Sequence, residues 1–335
     1  MTDELMLGPL QDMACDPALT DLAVTGDGRV WADYGDGMVE AHPSIPFRSP
    51  DVIREYAVRL CAQLGCRLDD ACPIGDASGA SGIRVHAVIA PIVTAGAAIS
   101  IRLPKRGHDD LRALRSQGLF PKPWLAMLLA LVRAHASILI TGGTGAGKTT
   151  LLKALLETCD PAERIVSVEE VRELGSIRRD NHVSLLSRAA NVEGAGAIGL
   201  GELVKATLRM RPDRVILGEC RGEEIADLLR AFNSGHRGGM ATLHADSVER
   251  VPARLTSLGL LAGLSPQTLA MLAENAFDVV VHVQRARRGR CISQIGDFRV
   301  EFGVLTTREL ARWDGRGPPI HTEQWREFAR RWMQD

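Results

Sequence analysis

Hydrophobic and polar positions divide this chain into two stretches of different rhythm. In the first hundred residues the apolar runs are short. Leu22-Ala23-Val24, the turn Gly26-Asp27-Gly28 and Arg29-Val30-Trp31 predict a hairpin. Pro50-Asp51 then opens a stretch in which Val52, Ile53, Tyr56, Leu60 and Leu64 recur at helical spacing. Ile83 to Ile89 and Ala98 to Leu103 predict two more strands, which makes residues 1–104 an α+β domain. Residues 105–118 are polar and charged and read as a linker. Beyond them strands alternate with helices, the pattern of a parallel sheet with crossover helices. The predicted strands are Ser137–Thr141, Arg164–Val168, Val215–Gly218 and Met240–His244; the predicted helices are Lys148–Thr158 and Gly222–Phe232. Residues 119–335 are therefore read as a second, α/β domain.

Composition adds exclusions. With 45% hydrophobic and 24% charged residues in 335, the chain is neither disordered nor fibrous. A net charge of −1 argues against a surface that is basic throughout. The charge is unevenly shared: residues 1–108 carry 9 basic and 14 acidic side chains, and the remainder 31 and 27. Five Trp, two Tyr and seven Phe are too few for a base-stacking platform. The seven cysteines contain no Cys-x-x-Cys pair, and the spacing of Cys61, Cys66 and Cys72 does not match a zinc ribbon, so free thiols are expected. The longest apolar run, Trp124 to Val132, is far short of the roughly 20 residues that span a bilayer. The acidic start Met1-Thr2-Asp3-Glu4 does not resemble a signal peptide, so a cytoplasmic protein is expected.

The strongest chemical signal is Gly142-Gly143-Thr144-Gly145-Ala146-Gly147-Lys148-Thr149, which fits G-x-x-x-x-G-K-[ST] between an apolar strand and an amphipathic helix. Glycines let the backbone turn tightly and bring its N–H groups against phosphates. Lys148 would contact the β- and γ-phosphates, the Thr149 hydroxyl would ligate Mg²⁺, and the site extends through Thr150. Only five of the 40 basic residues are lysines, so Lys148 in this position stands out. Hydrolysis also needs acids near the metal and the attacking water. Glu169-Glu170 follow one apolar strand, and Glu219 follows Val215-Ile216-Leu217-Gly218 in the Walker B place. Strand ends of this kind hold the ligands of doubly wound sheets. Taken alone, His236 and His244 are ordinary structural histidines; their place after the Glu219 helix suggests another edge of the nucleotide site.

The loop, the Glu169-Glu170 strand end, LRMRPDRVILGECRG and GHRGGMATLHADS occur in the order and spacing of the Walker A, Asp box, atypical Walker B and His box of the secretion ATPases that power type II and type IV secretion and type IV pili. The match is strong over residues 135–285 and extends upstream through SGIRVHAVIAP and AISIRLP, leaving the tail after about residue 303 outside it. Within that family the chain is most similar to the Tad/Flp pilus (CpaF-like) branch and related conjugation ATPases. One departure is Glu170, where the Asp box usually has Asp.

The resemblance implies a RecA-like P-loop NTPase domain of α/β class with a parallel-rich sheet, preceded by the smaller α+β N-terminal domain. It implies Mg²⁺-dependent ATP hydrolysis in a homohexamer that drives an inner-membrane platform protein from the cytoplasmic face, with no direct nucleic-acid contact. By the same analogy Glu169 orients or activates water, Glu219 supports the metal's water shell, and His244 relays nucleotide state. Arg84 and Arg102 would reach the phosphates from the N-terminal domain, and Arg209, Arg211 or Arg221 would sense the transferred phosphoryl group. The competing reading is a RecA-like DNA motor or conjugal DNA-transfer ATPase. Its only basic cluster, Arg285-Ala286-Arg287-Arg288-Gly289-Arg290, reads more simply as a charged hairpin turn.

Overall fold

A computed structural model of the chain describes residues 5–35, 37–79, 81–104, 110–175, 177, 179–188, 190, 195–286 and 289–333. It divides into two compact units, one of residues 1–107 with 171–176 and 190–195, the other holding the rest.

In the first unit six strands form one antiparallel sheet: β1 (Asp21–Val24), β2 (Val30–Asp33), β3 (Met38–Ala41), β4 (Ile74–Ser78), β5 (Arg84–Ile89) and β6 (Ala97–Arg102), in the order β3-β2-β1-β6-β5-β4. The predicted hairpin is β1–β2, with Val24 opposite Val30. Strict alternation along β6 buries Ala97, Ile99 and Ile101 on the face that meets helix Pro50–Gln63. That helix starts at Ser49, whose hydroxyl accepts from the Val52 N–H. β3 and β4 lie at the two edges of the sheet, and the hydropathy pattern alone does not announce them.

The second unit is built on nine strands: β7 (Ile138–Thr141), β8 (Ile165–Glu169), β9 (His182–Leu186), β10 (Arg214–Cys220), β11 (Met240–Leu243), β12 (Val279–Ala286), β13 (Gly289–Glu301), β14 (Val304–Arg312) and β15 (Ile320–His321). The order is β15-β14-β13-β12-β7-β11-β10-β8-β9. From β12 to β9 every neighbouring pair is parallel, and from β12 to β15 every pair is antiparallel. All residues of β7, β8 and β11 are buried, which is why their sequences are mostly apolar rather than alternating, with Thr141, Ser167, Glu169 and Thr242 as buried polar exceptions.

Crossover helices Lys148–Glu157, Leu200–Thr207 and Glu224–Asn233 connect the parallel strands. Phe232, at the end of the last, stacks edge-on to Phe277 with ring centroids 5.4 Å apart. A buried guanidinium ties this frame together. Arg214 donates to both oxygens of Glu163, to Val132 O (2.8 Å) and to Gly238 O (3.2 Å), and partners of this kind are what make a buried charge tolerable.

Of the segment read as a linker, residues 105–109 lie outside the described residues, and Leu111–Ser116 is a helix. Asp110 caps it by accepting from the Ala113 N–H at 2.7 Å, and Leu111 and Leu114 are buried beneath it. The tail beyond residue 303 also belongs to the sheet, because β14 pairs with β13 over its whole length. All seven cysteines are free thiols. Among the described residues no helix is long and apolar enough to cross a membrane.

Candidate active site

β7 ends at Thr141, and the chain turns through Gly142–Gly147 into helix Lys148–Glu157. Gly142, Gly145 and Gly147 have φ of +154°, +69° and +102°, a region costly for any residue with a side chain. At Gly142 space forbids one as well, since a β-carbon there would stand 2.2 Å from the Val283 carbonyl oxygen. Its glycines thus leave room beside the N–H groups left over in the helix's first turn, and the positive end of the helix dipole points the same way. Lys148 is buried and folds back over the loop, with Nζ donating to the carbonyl oxygens of Gly142 and Gly143 at 3.0 Å each.

The sheet order brings the remaining groups to this loop. β7, β11, β10 and β8 are consecutive parallel strands, so His244, Glu219 and Glu169, which end or directly follow β11, β10 and β8, join the loop at one carboxyl edge. His244 stands 3.4 Å (Nε2) and 3.5 Å (Nδ1) from Lys148 Nζ, and its Nε2 lies 2.5 Å from Glu219 Oε1. Arg221 donates to Glu219 Oε2 at 2.6 Å and to Glu170 Oε2 at 3.0 Å. Burial, with the Lys148 ammonium adding to it, holds the His244 imidazole below its ordinary pKa against the opposing pull of Glu219.

Glu169 is 2% exposed, and its side chain lies across Gly218 of β10. A β-carbon at Gly218 would approach Glu169 Cγ to 2.8 Å. The Gly218 carbonyl is pinned from the other side by Thr242 Oγ1, which donates at 2.6 Å. Behind the loop, buried His282 of β12 and Thr141 of β7 share a 3.0 Å hydrogen bond between Nδ1 and Oγ1.

Of the other predicted site residues, Arg84 and Arg102 belong to the first unit, and His236, Arg209 and Arg211 to the second. His236 makes its contacts at the end of helix Glu224–Asn233, with Nδ1 3.3 Å from Ala231 O. Arg209 lies in the exposed turn after Leu200–Thr207, and exposed Arg211 has φ +51°. Arg84 and Arg102 sit opposite each other on β5 and β6 of the first unit, where they pair with Glu173 and Asp21 respectively. Sequence reasoning did not anticipate Gly218, Thr242 or His282. For the last two the only signal is a polar residue inside an otherwise apolar strand.

The Glu219 and Glu170 carboxylates, joined through Arg221, and the Thr149 hydroxyl in the first turn after the loop are oxygen donors of the hard type that Mg²⁺ takes. That ion uses few protein ligands and completes its shell with water and phosphate.

Fold and site together define a RecA-like P-loop nucleotide-binding protein. The match to the family model described as "Type II/IV secretion system protein" covers residues 4–303, and the chain belongs to that family. A Mycobacterium tuberculosis protein provisionally named for conjugal transfer is 42% identical over 289 residues, 84% of this chain and 81% of that protein. The type IV secretion system protein PtlH homolog of Bordetella bronchiseptica is 37% identical over 296 residues, 80% and 86% of the two chains. In fold the chain resembles the pilus retraction motor PilT with bound ADP (TM-score 0.60, 16% identity, 98% of this chain and 86% of that one). It also resembles the ATPase DotB of Legionella pneumophila (TM-score 0.56, 16% identity, 96% and 82%).

Proposed function

We propose that this chain is a Mg²⁺-dependent ATPase that works as a homohexameric ring and powers a type IV secretion or Tad/Flp-like pilus apparatus from the cytoplasmic face of the inner membrane, by acting on a membrane platform protein. The observation that carries the proposal is the convergence of Lys148, His244, Glu219 and Glu169 at one carboxyl edge of the parallel sheet, around a loop with glycine at its three positive-φ positions.

In this mechanism the loop N–H groups and Lys148 hold the β- and γ-phosphates of ATP, and Lys148 trades its two carbonyl partners for phosphate oxygens. Thr149 and, through water, Glu219 would hold Mg²⁺, which when bound neutralises charge on the β- and γ-phosphate oxygens. Glu169 orients the attacking water and takes its proton. Arg221, which bridges Glu170 and Glu219, is placed to respond when the charge between those carboxylates changes. His244 touches both Lys148 and Glu219, so it registers phosphate and metal together.

Phosphate release from the purified chain tests this reading. Lys148→Ala and Glu169→Gln are each expected to lower turnover about 100-fold or more, with melting temperatures close to wild type. Near-normal release from Glu169→Gln would remove the water-orienting role. Light scattering with and without a non-hydrolysable ATP analogue tests the ring, and a monomer under both conditions refutes it.

A second reading, a motor for conjugal DNA transfer, is favoured by the name of the Mycobacterium tuberculosis relative. It predicts DNA-stimulated ATPase activity that weakens with salt.

A further inference from the structure

The β12–β13 hairpin runs past the phosphate loop, and nothing in the hydrolytic mechanism yet uses it. β12 follows β7 as far as His282 opposite Thr141. One residue on, the Val283 carbonyl closes on Gly142 so tightly that no β-carbon fits between them. Farther out the hairpin returns to the loop. A β-carbon on Gly147 would lie 3.2 Å from Arg290 Cδ and 3.9 Å from its Nε. The Arg290 stem therefore crosses the last glycine before Lys148.

The hairpin register sets Arg285 directly opposite Arg290. Residues so paired share one face with β-carbons about 5 Å apart, and like charges there repel. Among the described residues neither guanidinium has an ion pair or a hydrogen bond. Two facing cations without a carboxylate, set against a loop shaped for phosphate oxygens, lack an anion.

We infer that Arg290, reinforced by Arg285, contacts the phosphate chain of the bound nucleotide from the hairpin side of Gly147. This rests on the ATPase reading, which supplies the nucleoside di- or triphosphate. The planar guanidinium suits two phosphate oxygens at once, so Lys would replace it only in part.

Titration of the full chain with ADP and with a non-hydrolysable ATP analogue, at several salt concentrations, tests the inference. Arg290→Ala should weaken both about tenfold and flatten the salt dependence of binding, with Arg290→Lys intermediate. Arg290→Gln, which keeps most of the stem over Gly147, should behave like Arg290→Ala and guards against misfolding of the shorter variant. Unchanged affinity in a variant that melts like wild type overturns the inference. So does weakened binding with an unchanged salt slope, which would place Arg290 on the base or in the packing. Lys148→Ala in the same titration keeps the two proposals apart. If wild type binds nucleotide, Lys148→Ala does not, and Arg290→Ala matches wild type, then only the role of Arg290 falls. If wild type binds no nucleotide, the ATPase reading falls with it.

Discussion

Glu169 occupies space that a methyl group on Gly218 would claim, at 2.8 Å from Cγ. Gly218→Ala is therefore expected to lower kcat about tenfold or more by displacing the carboxylate, while ADP affinity changes little; steady-state kinetics with ADP titration separates the two effects. The pair also shows what could be read at this scale. Lys148, Thr149, Glu169 and Glu219 stood out in the sequence as candidates because phosphate and metal chemistry would demand those residue types at fixed places in a strand–loop–helix pattern. Gly218 did not, because its role is to be absent beside a neighbour 49 positions away in sequence, and only the β8–β10 register reveals it. Arg290 was visible only as one of a basic cluster read as a charged turn. Its closeness to Gly147, more than 140 positions away in sequence, appears only in the fold.

At the scale of elements, the mostly apolar runs of β7, β8 and β10 identified the buried parallel strands, and the positions of the predicted helices were right to within a few residues. Leu111–Ser116 escaped because two buried leucines among charged neighbours look like a linker. Its cap is testable: Asp110→Ala should cost about 1 kcal/mol, measured by urea unfolding. The β7–β12 joint makes a pH prediction. Burial holds His282 below the ordinary histidine pKa, so the unfolded chain binds the proton more readily. Stability from this group is complete above the unfolded value near 6.5 and is lost as pH falls towards the lower folded value. His244 is shifted the same way and adds to the trend. The melting temperature should therefore fall between pH 7.5 and 5.5, and His282→Asn should make that fall shallower. An equal fall in the variant would show that His282 does not drive it.

For the whole molecule, near-neutrality conceals an opposition: residues 1–108 are net −5 and the remainder net +4. In a ring closed by head-to-tail contacts, oppositely charged surfaces can meet between subunits. The proposed hexamer should then weaken as NaCl rises from about 0.1 to 0.5 M, where the Debye length falls to a few ångströms. Light scattering at the two concentrations checks this, and an unchanged mass would mean that apolar contacts hold the ring.

Lys148 already spans its own loop by binding the carbonyls of Gly142 and Gly143. Glycine-rich segments lose the most backbone entropy when they become ordered. If the proposed ATPase holds this loop conformation before nucleotide binds, that loss accompanies folding, and ATP would have only to exchange an ammonium's partners. Association should then follow a single exponential whose rate climbs linearly with nucleotide concentration, without the plateau of a loop that must first close.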